Sequence, residues 1–214
     1  MSSRLAYIDV PENCNPINLL KTWIEQYKSQ TKSKIVTFNL ATSFLNGDVS
    51  NRFIVLKELT QDGVIFNTNS NSLKVKQITE NPMVSANFLL TYVNGETKST
   101  VNQQIRLKGV AEQLPHNVSE RMFETQPLFA KIRAMLVQEQ GVKISWDELK
   151  KKHDCLVEGV QSGKVDLKAP EQLVLYKIVP NKFDFYQAGD GEIADRILFE
   201  INENKQWEHY HITP

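Results

Sequence analysis

From Asn15 to Gln30 the apolar residues Ile17, Leu20, Ile24 and Tyr27 recur at intervals of three and four, with Trp23 beside them. That spacing predicts an amphipathic helix, with Asn15 as its cap and Pro16 at its first position. The pattern then shifts toward the β-branched and aromatic runs of strands. Strands are predicted at Ile35–Thr42, Arg52–Glu58, Val64–Thr68, Val84–Tyr92 and Gln103–Glu112. Turn signals at Asn46-Gly47-Asp48, Asp62-Gly63 and Asn94-Gly95 separate them, and Ser72–Glu80 reads as a short helix closed by Asn81-Pro82. After Pro115 the spacing of Met122, Phe123, Ile132, Met135 and Leu136 is helical, and Ser145 with Glu148 forms a capping box. Val160–Pro170 is polar and reads as a loop. Four late strands follow at Leu173–Ile178, Lys182–Gln187, Arg196–Ile201 and Gln206–Ile212.

Many short strands joined by tight turns predict a mainly β, α+β fold: an antiparallel barrel, closed or partly closed, with helices packed outside it. A doubly wound parallel sheet does not suit strands that fail to alternate with long helices. The whole chain, 1–214, is read as one domain, with a helical lead over 1–30 and a helical insertion over 116–170.

The 41% hydrophobic content is ordinary for a globular core. Lys+Arg and Asp+Glu both total 25, so there is no basic excess to hold nucleic acid or an anionic membrane. No apolar run approaches the roughly 20 residues of a membrane helix, and the first residues carry no apolar leader segment. Two unpatterned cysteines, Cys14 and Cys155, suggest free thiols in a reducing compartment, so the expected location is cytoplasmic. No G-x-G-x-x-G, Walker A, nucleophile elbow or zinc motif occurs. His209 and His211 would share one face of a strand, but two ligands do not make a metal site, and none is expected.

Four segments in order carry more. Asn51–Lys57 reads N-R-F-I-V-L-K, Phe66–Lys74 reads F-N-T-N-S-N-S-L-K, Gln103–Gly109 reads Q-Q-I-R-L-K-G, and Asp184–Arg196 contains D-F-Y-Q and D-R. Together, from about Asn15 to the C-terminus, the chain resembles the pyridoxamine 5'-phosphate oxidase family. The resemblance implies an FMN-binding split barrel that works as a homodimer, with flavin at the subunit interface. Arg52 and Lys74 would hold the FMN phosphate, with Thr68 and the helix start at Ser72 beside them; fixed cations and a helix N-terminus suit a dianion. The stretch Phe53, Ile54, Val55 and Leu56 would line the ring edge, Gln104 would meet the ring's polar end, and Gln140 would match a further glutamine after a one-residue shift. Tyr186 stands for the family's tryptophan and Arg196 for its last arginine, both from the neighbouring subunit. Asn67 and Leu73 depart from the family's tyrosine and arginine.

The substrate side departs further. Of the family's four phosphate-ester ligands only the lysine survives, as Lys57. Tyrosine, arginine and serine become Met122, Gln126 and Ala130. The R-L-H-D-R motif becomes Glu192-Ile193-Ala194-Asp195-Arg196, replacing an arginine by Glu192 and a histidine by Ala194. Charge-assisted hydrogen bonds contribute about 1.5–3 kcal/mol each, so pyridoxamine phosphate binding should fall roughly a thousandfold or more. Met122, Gln126, Phe129, Ala130 and Ala194 suit a larger, less charged, aromatic or heterocyclic substrate. The expected function is an FMN-dependent oxidase of such a molecule, as in the phenazine-type subgroup of this fold. The alternatives are pyridoxal 5'-phosphate synthesis, a non-catalytic flavin-binding protein, and a barrel that has lost its cofactor.

Overall fold

A computed structural model describes residues 4–12 and 14–214. The chain begins with strand β1 (Arg4–Leu5), then helix α1 (Pro16–Thr31). Asn15 Oδ1 accepts from the Ile17 N–H at 2.9 Å, and Lys32 closes the helix in the left-handed region at φ 58°. Of the predicted stripe, Ile17, Leu20, Trp23 and Ile24 are buried and Tyr27 is half-buried, and Leu19 is buried beside them. Trp23 meets Phe185 edge-on at 5.1 Å between ring centroids.

The barrel begins with β2 (Thr37–Ser43) and β3 (Val49–Val55), then β4 (Glu58–Leu59) and β5 (Val64–Asn69). Helix α2 (Leu73–Glu80) leads into the long hairpin of β6 (Met83–Val93) and β7 (Thr100–Gln113). Helices α3 (His116–Glu124), α4 (Leu128–Leu136) and α5 (Trp146–Gln161) follow. The chain ends in β8 (Leu173–Gly189), β9 (Glu192–Ile193), β10 (Asp195–Ile201) and β11 (Trp207–His211).

The sheet runs β11-β10-β8-β7-β6-β2-β3, antiparallel throughout. Its other edge is supplied by β5, which pairs with the first part of β8, while β10 pairs with the last part. Closure happens just after β3: Leu56 N–H bonds Val36 O, and the next amide, Lys57 N–H, bonds Ile65 O beside β5. Two adjacent peptides thus join opposite ends of the strand order. Inside lie Phe38, Phe66, Phe88, Phe183, Phe185 and Phe199, all fully buried at alternate strand positions.

The structure corrects the predicted elements in four places. The second strand lies at 49–55 rather than 52–58, because the turn at Asn46-Gly47, with Gly47 at φ 88°, starts the β2–β3 ladder at Ser43 and Val49. The two strands predicted between Leu173 and Gln187 are one, β8. Its Pro180 falls where the neighbour changes from β5 to β10 and the β7 register slips, a bulge that tolerates a missing N–H. Gly109 faces that bulge, and a Cβ there would lie 2.2 Å from Val179 O. The loop expected from Val160 starts later, since α5 continues to Gln161. Among the described residues before Pro16 there is no helix: β1 pairs in parallel with β9, a two-residue ladder with no sequence pattern to reveal it. Among the described residues no helix is long and apolar enough to cross a membrane, and no group of three His, Cys, Asp or Glu side chains converges on a metal position.

Candidate functional site

A cavity of 370 Å³ opens between the closing edge of the barrel and the α3–α4 helices. The sequence puts cations there by strand parity and helix start. Arg52 lies on the half-buried face of β3, and its Nη1 donates to Thr42 Oγ1 at 2.6 Å and Leu40 O at 3.1 Å. Thr42 in turn donates to Gln77 Oε1 at 2.6 Å, so a buried polar chain orients the guanidinium. Lys74, in the first turn of α2, donates to Thr68 Oγ1 at 3.0 Å and Gln140 Oε1 at 3.1 Å. Thr68 lies 3.3 Å from Ser72 Oγ, at the cap position.

No carboxylate lines this cavity, and neither cation has an acidic partner among the described residues. The electrostatics follow. Burial first, and the Arg52 charge second, lower the Lys74 ammonium to about 8. Burial also lowers Arg52. Buried charges are normally paired, and these two cations face one hollow without a counter-charge among the described residues.

Of the residues singled out in the sequence, Arg52, Phe53, Ile54, Val55, Asn67, Thr68, Lys74, Gln126, Ala130 and Gln140 line this cavity. Leu56, Lys57, Ser72 and Leu73 stand just outside it: Ser72 is buried under Thr68, and Leu73 is exposed. Lys57 is joined to the lining through a 2.6 Å bond to Gln126 Oε1. Met122, on α3, is not in the lining, and its carbonyl accepts from Gln126 Nε2 at 3.3 Å. The cavity wall does not include Gln104, Tyr186, Arg196, Glu192 or Ala194.

The first three of those form a second cluster, on the outer face of the sheet. Gln104 and Tyr186 are direct cross-strand partners, and so are Tyr186 and Arg196. Arg196 donates from Nε and Nη2 to both Asp184 oxygens at 3.0 and 2.8 Å, and Arg106 joins the same carboxylate at 2.6 Å. Glu192 lies on β9 against β1, with Ala194 just after it.

Sequence reasoning missed Arg133 and Asn69, both in the wall. Asn69 Nδ2 donates to Val137 O at 3.0 Å and Gln138 O at 2.9 Å, tying the end of α4 to β5. Arg133 follows Ala130 by three residues on α4, a helical neighbour spacing that the sequence did contain. It adds a guanidinium to a wall that also holds Gln126 and Ala130.

Residues 174–214 match the family model described as the pyridoxine 5'-phosphate oxidase C-terminal dimerisation region. A Caenorhabditis elegans protein, assigned by name to the pyridoxamine 5'-phosphate oxidases, is 30% identical over 190 residues, 87% of this chain and 80% of its own. The chain belongs to the pyridoxamine 5'-phosphate oxidase family. A second member, the pyridoxine/pyridoxamine 5'-phosphate oxidase of Rippkaea orientalis, is 28% identical over 202 residues, 94% of this chain and 91% of its own. The fold is shared with PhzG of Burkholderia lata 383, solved with tetrahydrophenazine-1-carboxylic acid. The TM-score is 0.81 at 24% identity, covering 97% of this chain and 98% of that one. An FMN-binding protein of Nostoc punctiforme also shares it, with TM-score 0.72 at 16% identity, covering 97% and 100%. The family's split barrel is thus the fold found here.

Proposed function

We propose that this chain is an FMN-dependent oxidase of a small aromatic or heterocyclic molecule. The observation that carries the reading is the pair Arg52 and Lys74, two cations with no acidic partner facing one cavity. The residues fit FMN. A phosphate would restore the missing counter-charge, with the Thr68 hydroxyl and Gln140 beside it. The Phe53–Val55 stretch offers apolar side chains and backbone groups along one wall for the flat ring.

The chemistry FMN supplies when bound is hydride acceptance from a substrate carbon, with dioxygen as final electron acceptor and hydrogen peroxide as product. The chain supplies placement. Arg52 and Lys74 fix the phosphate end, and the helices α3 and α4 wall the cavity from water. Lys57 and Gln126, bonded to each other, orient the substrate.

The active form in this reading is a homodimer. Gln104, Tyr186 and Arg196 sit together on an outer face, away from the cavity of their own chain. A second copy laid face to cavity would add them to the ring's exposed side. The match of residues 174–214 to a dimerisation region supports that arrangement.

The test is a visible spectrum after incubation with FMN and gel filtration. Flavin bands should elute with the protein, and Arg52→Ala should weaken FMN binding about 10- to 100-fold, the loss of one charge-assisted contact. A colourless protein, or an Arg52→Ala variant with unchanged affinity, refutes this reading. Flavin that binds but is reduced by no amine or dihydroaromatic compound would instead identify a flavin carrier.

A further inference from the structure

A second cavity, of 610 Å³, lies between the chain before α1, helix α1 itself, and the Gln103 and Gln187 positions of β7 and β8. It shares no lining residue with the cavity of Arg52 and Lys74. Buried Ile8, Leu19 and Trp23 give it an apolar surface, and one buried amide stands among them. Gln103 is 2% exposed, on the inward face of β7 with Ile105 and Leu107, and its Oε1 has no hydrogen-bond partner among the described residues. Tyr7 sets the direction of that amide. The Tyr7 carbonyl can only accept, so Gln187 Nε2 donates to it, at 3.4 Å. Gln187 Oε1 then accepts from Gln103 Nε2 at 2.8 Å, which leaves Gln103 Oε1 as the free end of the chain. A buried acceptor without a donor has lost its hydration for nothing, which is why such atoms are rare. Thr22 Oγ1 sends its proton to Asn18 O at 3.0 Å, so toward a ligand it too can only accept. Asp9 and Glu12 stand exposed in the wall, and among the described residues no lysine, arginine or histidine lines it.

We propose that this second cavity binds a small organic cation, a primary ammonium carried on a slender apolar body. The chemistry of the wall selects it. An ammonium brings three N–H donors and no acceptor, which matches a site whose free polar atoms at Gln103 and Thr22 only accept. Asp9 and Glu12 supply the counter-charge that a desolvated cation needs, while Leu19 and Trp23 receive the apolar body. An anion would meet two carboxylates, and a neutral alcohol has a single proton to give. The site is thus opposite in sign to the cavity of Arg52 and Lys74, and its occupancy does not depend on FMN.

The experiment is calorimetric titration of the full chain with 3-phenylpropylamine, 3-phenylpropanol and 3-phenylpropanoate at neutral pH. The amine should bind about tenfold or more tighter than the alcohol, and the propanoate weakest. Gln103→Leu should weaken the amine about tenfold and so remove most of its preference. Leucine is close to glutamine in size and leaves no unpaired polar atom, so the variant should stay folded. Asp9→Asn with Glu12→Gln changes only exposed side chains, and should weaken the amine about two- to fivefold. The two free cysteines report where the amine sits, since half-buried Cys14 lines this cavity and Cys155 is exposed on α5. At ten times its Kd the amine should slow iodoacetamide labelling of Cys14 about tenfold, read by mass spectrometry, and leave Cys155 unchanged. The inference is overturned if the alcohol or the propanoate binds as well as the amine, if Gln103→Leu keeps the preference, or if Cys14 is not protected. Absence of binding at millimolar amine overturns it too, and leaves Gln103 Oε1 to a buried water.

Discussion

Replacing Lys74 by methionine should stabilise the ligand-free protein and weaken its hold on an anion. The magnitude comes from the ammonium's displaced titration. An ordinary lysine loses its proton near 10.5, and Lys74 does so at about 8. The folded state therefore disfavours the charged form by roughly 3 kcal/mol, at about 1.4 kcal/mol per pH unit. The sign is that of a base with a lowered value. Below pH 8 both states hold the proton and the folded state bears the full cost. Between 8 and 10.5 the unfolded chain binds more protons than the folded one, so stability rises with pH. Methionine removes the charge at similar length. The two lost bonds cost little, since Thr68 can turn to Ser72 at 3.3 Å and Gln140 is exposed to water. A net gain of about 1–3 kcal/mol at pH 7 corresponds to roughly 2–10 °C in Tm for a chain of this size. The assay is thermal unfolding of both proteins at pH 7 and pH 10, with and without FMN. The variant should melt higher at pH 7, the difference should shrink at pH 10, and FMN should stabilise the wild type more. A variant that melts lower at pH 7, or that gains as much from FMN as the wild type, would show that Lys74 is not an unpaired buried cation awaiting an anion.

Steady-state kinetics on pyridoxamine 5'-phosphate should give kcat/KM roughly a thousandfold or more below that of an ordinary metabolic enzyme on its own substrate, because Gln126, Met122 and Ala130 supply neither the charge nor the hydroxyls; a value near that of such enzymes would refute that. Gly109→Ala should cost about 1–3 kcal/mol, read as a lower urea midpoint, because its Cβ would meet backbone at Val179 O and Pro180 Cα, 2.2 and 2.7 Å away.

What the sequence alone determined was local and periodic. Asn15, Pro16 and the stripe from Ile17 to Ile24 define α1, since capping and a 3.6-residue period need only neighbouring residues. Alternation on β7 puts Ile105 and Leu107 on its buried face. Arg52, Thr68 and Lys74, which meet at one cavity, were legible because they lie close in sequence, within motifs that could be matched as strings. Tertiary structure alone decided which strands meet and what a helix face confronts. Period-two alternation names a face but no partner, so β8 switching from β5 to β10 at Pro180 had no local signature. Nor did the β1–β9 ladder, whose Arg4 and Glu192 are far apart in sequence. Arg133 stays exposed, and only the laying of α4 against the cavity, where Asn69 ties the helix end to β5, puts it at the rim. Tyr186 and Arg196 are ten residues apart in sequence, and only the fold makes them cross-strand partners on an outer face of the sheet. A string of residues records spacing along the chain, whereas long-range packing decides which of those side chains share one cavity.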